Sequence, residues 1–435
     1  MHAFHYRDGS LHCEGVDLEK VAERYGTPLY VYSAGTITDH YRRLDAALAP
    51  LDHLICYAVK ANSNRAVLRL LHEEGAGFDI VSGGELYRIL AAGGDPTRCT
   101  FAGVGKSREE IEYALEQRVA CFNVESEAEL IYIDRIAASK GVSAPIALRV
   151  NPDVDAATHK YVSTGRSENK FGIALERVGS VYEKAAALAH ITIRGVQMHI
   201  GSQITQARPF AEAIAKISPL VRQLRERYAI EFFSIGGGMG IVYQASFASG
   251  ESDWWRERED GAHPLTIDEY AAAIVPALRD LGLRILLEPG RFLVGNAGVL
   301  LTRVRYLKQA EAKKFVIVDA GMNDLIRPAL YQSYHEIVPV REPISTQRES
   351  VDVVGPVCES GDFFAQDRLL PEMREGELAA IMSAGAYGFV MASTYNSRPL
   401  PAEVLVHGER FTLVRERQTY EDIMRGERDI ERASS

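Results

Sequence analysis

Residues 53–82 read HLICYAVKANSNRAVLRLLHEEGAGFDIVS. A β-rich run, HLICYAVK (53–60), ends in a polar residue. An amphipathic helical stretch, NRAVLRLLHEEG (64–75), follows, and a second apolar run, GFDIVS (77–82), begins. The rhythm recurs in CTFAG (99–103), ACFNVES (120–126), APIALRVNP (144–152), ITIRGVQMHIG (191–201), EFFSIGGG (231–238) and LRILLEPG (283–290). Helical patterns such as GELYRILAAGG, SREEIEYALEQ and EAELIYIDRIAASKG lie between. Near-continuous apolar strands alternating with helices indicate a parallel sheet covered on both faces. Eight such units over roughly 250 residues match a closed (β/α)8 TIM-like barrel. An open doubly wound sheet is the alternative; the count of units separates the two.

After Glu288-Pro289-Gly290-Arg291 the rhythm changes. VLLTRVRYL, FVIVDAG, SVDVVG, ELAAIMSAG, EVLVHG and FTLVRE are short β-type runs with little helix between. A mostly β domain is therefore expected over 291–435, with the barrel over 31–290. The first 30 residues are also β-like and are expected to pack with the β domain. The polar stretch 152–170 reads as a long loop, either an insertion or an active-site lid. The tail RGERDIERASS reads as frayed.

The chain has 435 residues, which exceeds what one hydrophobic core usually serves. Its 46% hydrophobic and 25% charged residues are ordinary for a globular protein and exclude fibrous or disordered classes. The net charge of −10 argues against nucleic-acid or anionic-membrane partners. Five cysteines, Cys13, Cys56, Cys99, Cys121 and Cys358, show no paired spacing, so neither a disulfide framework nor a zinc site is expected. The start MHAFHY lacks a basic region before an apolar one, and no apolar run nears the ~20 residues of a membrane helix. These features lead us to expect a cytoplasmic protein.

The active site of such a barrel lies at the C-terminal ends of its strands. The strands end in or near Lys60, Asp79 with Ser82, Arg149, His199-Ile200-Gly201-Ser202, Gly236-Gly237-Gly238, and Glu288-Pro289-Gly290-Arg291. An ammonium at Lys60 is expected to be desolvated, which lowers a lysine's pKa and suits imine formation. A snorkelling lysine is the alternative. The glycine run can cradle a phosphate or make a plain turn. His199 can stack on a flat ring, act as an acid or base, or simply be a core histidine. Glu288 can meet a ring nitrogen or a metal, or pair with an arginine; Arg149 can likewise be a structural ion pair. In the β domain, Arg327 and Tyr331 share a face if their segment is helical, and together suit a carboxylate. Cys358 and Glu359 put a thiol beside a carboxylate in a turn, and Tyr387 sits in a permissive GAYG loop. Imine-forming lysine, phosphate cradle, stacking histidine and pyridine-facing carboxylate together are the needs of pyridoxal phosphate.

At these residues the chain resembles the diaminopimelate decarboxylase family, within the alanine-racemase-like (fold type III) pyridoxal-phosphate enzymes. The motifs run almost end to end: YAVKAN, DIVSGGEL, HKYVSTG with SENKFGI, HIGSQI, GGGMGI, EPGR, DAGMNDLIRPALY, GPVCESGD and GAYGFVMASTYNSRPLPAEVLV. Met239 departs from an expected Leu, and Phe363-Phe364 is bulky after the CESGD turn. The resemblance implies loss of CO2 from meso-2,6-diaminopimelate to give L-lysine, with the cofactor pyridoxal 5'-phosphate. It makes Lys60 the Schiff-base lysine and His199 the stacking residue, with Glu288 at the pyridine nitrogen. Asp79, Arg149, Ser202, Gly237, Gly238, Gly290, Arg291 and Tyr387 complete the implied cofactor site. Arg291, Arg327 and Tyr331 would bind the distal carboxylate, with Tyr387 near the substrate. A head-to-tail homodimer is implied, with active sites at the interface. Cys358, a candidate proton donor, and Glu359, facing the distal ammonium, would enter from the other subunit. The alternatives are a related decarboxylase for ornithine or arginine, a non-catalytic cofactor carrier and, more distantly, a glycosidase barrel.

Overall fold

A computed structural model describes residues 2–154, 170–250 and 264–429. The expected loop over 152–170 falls almost wholly outside them, as does the end of the tail. Eight strands form at the eight expected places: His53–Ala58, Gly77–Ile80, Cys99–Phe101, Cys121–Val124, Ala144–Asn151, Ile191–Met198, Phe232–Ser234 and Arg284–Leu287. Each pairs in parallel with the next. Arg284–Leu287 then pairs with His53–Ala58, which closes the ring and removes the open-sheet alternative.

The intervening helices start where a side chain can replace the missing backbone acceptor. Asn64 caps Arg65–Glu73, Ser82 caps Gly83–Ala92, and Ser126 caps Glu127–Lys140. Ser107 with Glu110, and Thr266 with Glu269, make full capping boxes. Ser82 is thus committed to its helix and is not one of the cavity-lining groups.

Residues alternate along a strand between barrel interior and helix layer. Cys56, Cys121, Ala147, Phe232 and Leu286 form a separate buried cluster drawn from five strands, filling the middle of the barrel. Two residues further along, the same rows become polar: Arg149 follows Ala147, Ser234 follows Phe232, and Glu288 follows Leu286. An apolar plug therefore floors a polar mouth. Cys13, Cys56, Cys99 and Cys121 are free and buried, and burial raises all four thiol pKa values.

The β domain is organised by Gly298–Gln309. It pairs antiparallel with Leu29–Ser33, Lys314–Val318 and Leu378–Ile381. Leu29–Ser33 also runs parallel to Ala402–His407, so the N-terminal segment joins this sheet; the strand spans the position expected to separate the segment from the barrel. Phe4–Arg7, Ser10–Cys13 and Val16–Asp17 make a small sheet tied to the domain by Leu11 N–H donating to Val340 O at 2.7 Å. Phe363–Pro371 and Ile337–Pro339 are strands that the sequence pattern misses. Three contacts clamp the domain to the first barrel strand's exit: Tyr387 N–H to Ala61 O (2.8 Å), Asn62 Nδ2 to Gly385 O (3.2 Å) and Asn64 Nδ2 to Glu403 Oε2 (2.9 Å). Among the described residues, no helix is long and apolar enough to cross a membrane.

Candidate active site

A cavity of about 250 Å³ opens at the strand C-terminal ends, walled on one side by the β domain. Lys60, Asp79, Arg149, His199, Ser202, Gly238, Glu288, Gly290, Arg291, Arg327, Tyr331 and Tyr387 all line it. They come from six barrel strands and two β-domain segments, so the closed fold is what brings them together.

Lys60 sits in a single 3-10 turn, Val59–Ala61, directly after the first strand. Its Nζ donates to Asp79 Oδ2 at 2.9 Å; Asp79 is buried, whereas Lys60 is 42% exposed into the cavity. The expected lowering of the lysine pKa does not occur. Burial pulls it down, but Asp79, Tyr387 and Glu288 outweigh that and hold it above the ordinary value. The local carboxylates keep Lys60 an ammonium in this state.

Glu288 is buried, accepting from Ser234 Oγ at 2.6 Å and Gln197 Nε2 at 2.9 Å. Burial, then the Asp79 charge, raises its pKa above the usual carboxylate range. The alternative of an arginine partner is not what forms. For Arg149 it is: NH1 donates to Glu125 Oε1 at 2.8 Å, both side chains being buried. Arg149 nevertheless reaches the cavity wall.

His199 accepts at Nδ1 from Gly237 N–H at 3.2 Å. Burial, with Arg149 and Lys60 nearby, lowers its pKa well below normal, so the ring is neutral. The glycine loop packs backbone against backbone. A Cβ at Gly237 would meet Glu288 O at 2.1 Å, and one at Gly238 (φ +113°) would meet Gly201 O at 2.5 Å. Gly237 itself is behind the wall rather than on it, supporting His199.

Arg327 and Tyr331 share the face of a short helix, Arg327–Tyr331, as expected, and both face the cavity. Arg291 begins the helix Arg291–Val294; its NH2 donates to Ser202 Oγ at 3.1 Å. Cys358 and Glu359 are exposed in a turn and do not line the cavity. Asp362 holds that turn, accepting from Met322 N–H and Val357 N–H, each at 2.6 Å.

Four functional-looking residues escape sequence reasoning: Gln197, Ser234, Tyr243 and Met391. Two carried a signal. Gln197 lies two before His199, and Ser234 two before Gly236, so each shares its neighbour's inward row. Tyr243, whose hydroxyl accepts from both Arg291 and Arg327, had none.

Residues 34–295 match the family model described as pyridoxal-dependent decarboxylase, pyridoxal binding domain. The chain is similar to a curated diaminopimelate decarboxylase of Pseudomonas aeruginosa, 52% identical over 98% of this chain and 99% of the relative. Among solved structures it resembles diaminopimelate decarboxylase from Helicobacter pylori complexed with L-lysine: 40% identity, TM-score 0.86, covering 94% of this chain and 98% of that one. The M. jannaschii enzyme in co-complex with L-lysine is 36% identical with TM-score 0.89, covering 98% of each chain.

Proposed function

The chain belongs to the diaminopimelate decarboxylase family of pyridoxal-dependent decarboxylases, and from that premise we propose that it converts meso-2,6-diaminopimelate to L-lysine and CO2, the last step of lysine biosynthesis. The observation that carries this reading is the cavity's donor set. Two buried arginines, Arg291 and Arg327, face it, and among the described residues neither has a carboxylate partner. Leaving a buried charge unpaired is costly, so the pocket favours a substrate with an anionic distal end.

The same cavity fits pyridoxal 5'-phosphate. Gln197 Oε1 and Arg291 Nε are buried at its wall without a hydrogen-bond partner, so polar capacity is left over. In this reading Lys60 would be the residue that holds the cofactor's aldehyde, and Asp79, its present partner, would keep the Lys60 nitrogen at that end of the cavity. Neutral His199 would lie against the ring, and Glu288 would meet the pyridine nitrogen. Gly238, Gly290, Tyr387 and the backbone of Arg291 would hold the phosphate, with Ser202, Gly237 and Arg149 in support, which leaves the Arg291 guanidinium to the substrate. When bound, the cofactor supplies an electron sink for the pair left as CO2 departs.

The protein's own residues do the rest. Arg291, Arg327 and Tyr331 orient the distal carboxylate. The scissile C–C bond breaks, CO2 leaves, and one proton is delivered to Cα. Cys358 of the partner subunit is the proposed donor of that proton, and the partner subunit's Glu359 meets the distal ammonium. In this reading the barrel over 31–290 binds the cofactor. The β domain over 291–435, with residues 1–30, completes the site of a second copy in a head-to-tail homodimer.

The test is turnover of meso-diaminopimelate, ornithine and arginine by purified protein with added cofactor. Lysine and CO2 should form from the first at least about a hundredfold faster, the discrimination expected when polar groups are left unpaired. Equal rates on all three would overturn the assignment, and no product from any would leave a carrier.

A further inference from the structure

The two arginines are held by an unusual set of partners. Arg291 NH1 donates to the Tyr243 hydroxyl, and Arg327 NH2 donates to the same oxygen at 3.2 Å. Arg327 Nε reaches His335 Nε2 at 3.4 Å, and its NH2 reaches Ser333 Oγ at 3.3 Å. His335 is buried, and its Nδ1 lies 2.9 Å from Met382 O. A carbonyl can only accept, so Nδ1 carries the proton and Nε2 presents its lone pair to Arg327. Aromatic faces complete the cage. The Arg291 guanidinium lies 4.9 Å from the Tyr387 ring centre and 5.8 Å from that of Tyr243. The Arg327 guanidinium lies 5.5–5.9 Å from the rings of Tyr243, Tyr331 and Tyr387.

Every one of these partners is neutral. A carboxylate in place of Tyr243 or His335 would fix the arginines equally well but cancel their charge, leaving less for a ligand. A phenol and an imidazole fix the geometry and leave the charge in place. Burial, with Arg327 beside it, lowers the His335 pKa to about 3, so the ring stays neutral at any ordinary pH.

We propose that Tyr243 and His335 are positioning residues that hold Arg291 and Arg327 as a cationic pair with no carboxylate partner among the described residues, tuned to an amino acid bearing a carboxylate at its far end. This deepens the substrate reading above and rests on it. Neither residue touches the substrate in this scheme. Tyr243 sets the spacing of the two guanidiniums, and His335 sets the rotation of Arg327.

The test pairs binding with kinetics in the cofactor-loaded protein. L-Lysine and cadaverine differ only by a carboxylate, so their dissociation constants, measured by calorimetry, report the arginine pair directly. Wild type should prefer lysine by about a hundredfold or more. Tyr243→Phe, which keeps the ring and removes the bridging oxygen, should cut that preference about tenfold. It should raise KM for meso-diaminopimelate by a similar factor while lowering kcat less than about threefold. His335→Leu should act in the same direction, and His335→Gln, whose carbonyl can accept from Arg327, should restore most of the preference. A wild-type preference kept in full by Tyr243→Phe overturns the positioning role alone. A wild-type ratio near one overturns the substrate reading and the positioning role with it.

Discussion

Glu288 is the residue where stability and the proposed function pull apart. Its carboxyl is buried beside Asp79, and its pKa is raised above the ordinary value of 4.5. The fold therefore retains a proton where the unfolded chain has lost it. By linkage, this favours folding at low pH, and the contribution is lost as pH rises through the raised value. Glu288→Gln cannot ionise. Gln197 can turn its amide so that its unpartnered Oε1 accepts from the new side chain. The variant's melting temperature, relative to wild type without cofactor, should climb from acid to neutral pH and then level off. Its decarboxylation rate should fall about a hundredfold, the scale of losing one preorganised electrostatic contact. A melting difference flat across pH would mean that Glu288 titrates normally in the fold.

Among the elements, the glycine loop after Phe232–Ser234 has the least room for change. Gly237 fits because its α-carbon hydrogen faces the carbonyl of Glu288; a methyl there overlaps it at 2.1 Å, and that contact is backbone. Gly237→Ala should therefore push apart the loop and the Glu288–Gly290 strand end. We expect a loss of about 1–3 kcal/mol, the usual cost of overpacking, together with weaker cofactor retention on gel filtration. Unchanged stability with full retention would show that the loop is looser than its packing implies. Elements differ sharply in how well the sequence announces them. The eight barrel strands are legible because both faces are buried, which makes each an apolar run. Phe363–Pro371 is not, because Asp367 and Arg368 interrupt it; Asp367 takes φ 47° beside a break in register against Arg348–Val354. The rim residues are legible because they follow strand ends. Tyr243 follows no strand, and its partners lie 48 and 84 residues away. A contact of that range has no local signature. The position of Lys60 is legible in the sequence but its charge state is not, since the Asp79 partner comes from the neighbouring strand.

At the scale of the molecule, the net charge of −10 conceals a basic recess. Lys60, Arg149, Arg291 and Arg327 converge on one cavity; Lys60 is paired with Asp79 and Arg149 with Glu125, which leaves Arg291 and Arg327 to carry its positive charge. Placing cations there raises the local concentration of anionic ligands on an otherwise acidic protein. The recess contains neither Cys358 nor Glu359. Their turn is hydrogen-bonded to Asp362 yet is exposed. In the proposed head-to-tail homodimer this exposed turn, with its thiol and carboxylate, would enter the other copy's cavity. Subunit mixing tests this directly. Lys60→Ala and Cys358→Ala chains should each be nearly inactive alone. If the protein is the proposed homodimer, equal amounts, dissociated and reassociated at random, should form hybrids as half of all dimers. Each hybrid would have one site with intact Lys60 facing intact Cys358, and one site lacking both. Activity should thus recover to about a quarter of wild type, the value set by two-fold symmetry. If instead Cys358 served its own chain's site, both sites of every hybrid would be broken, and mixing would restore nothing.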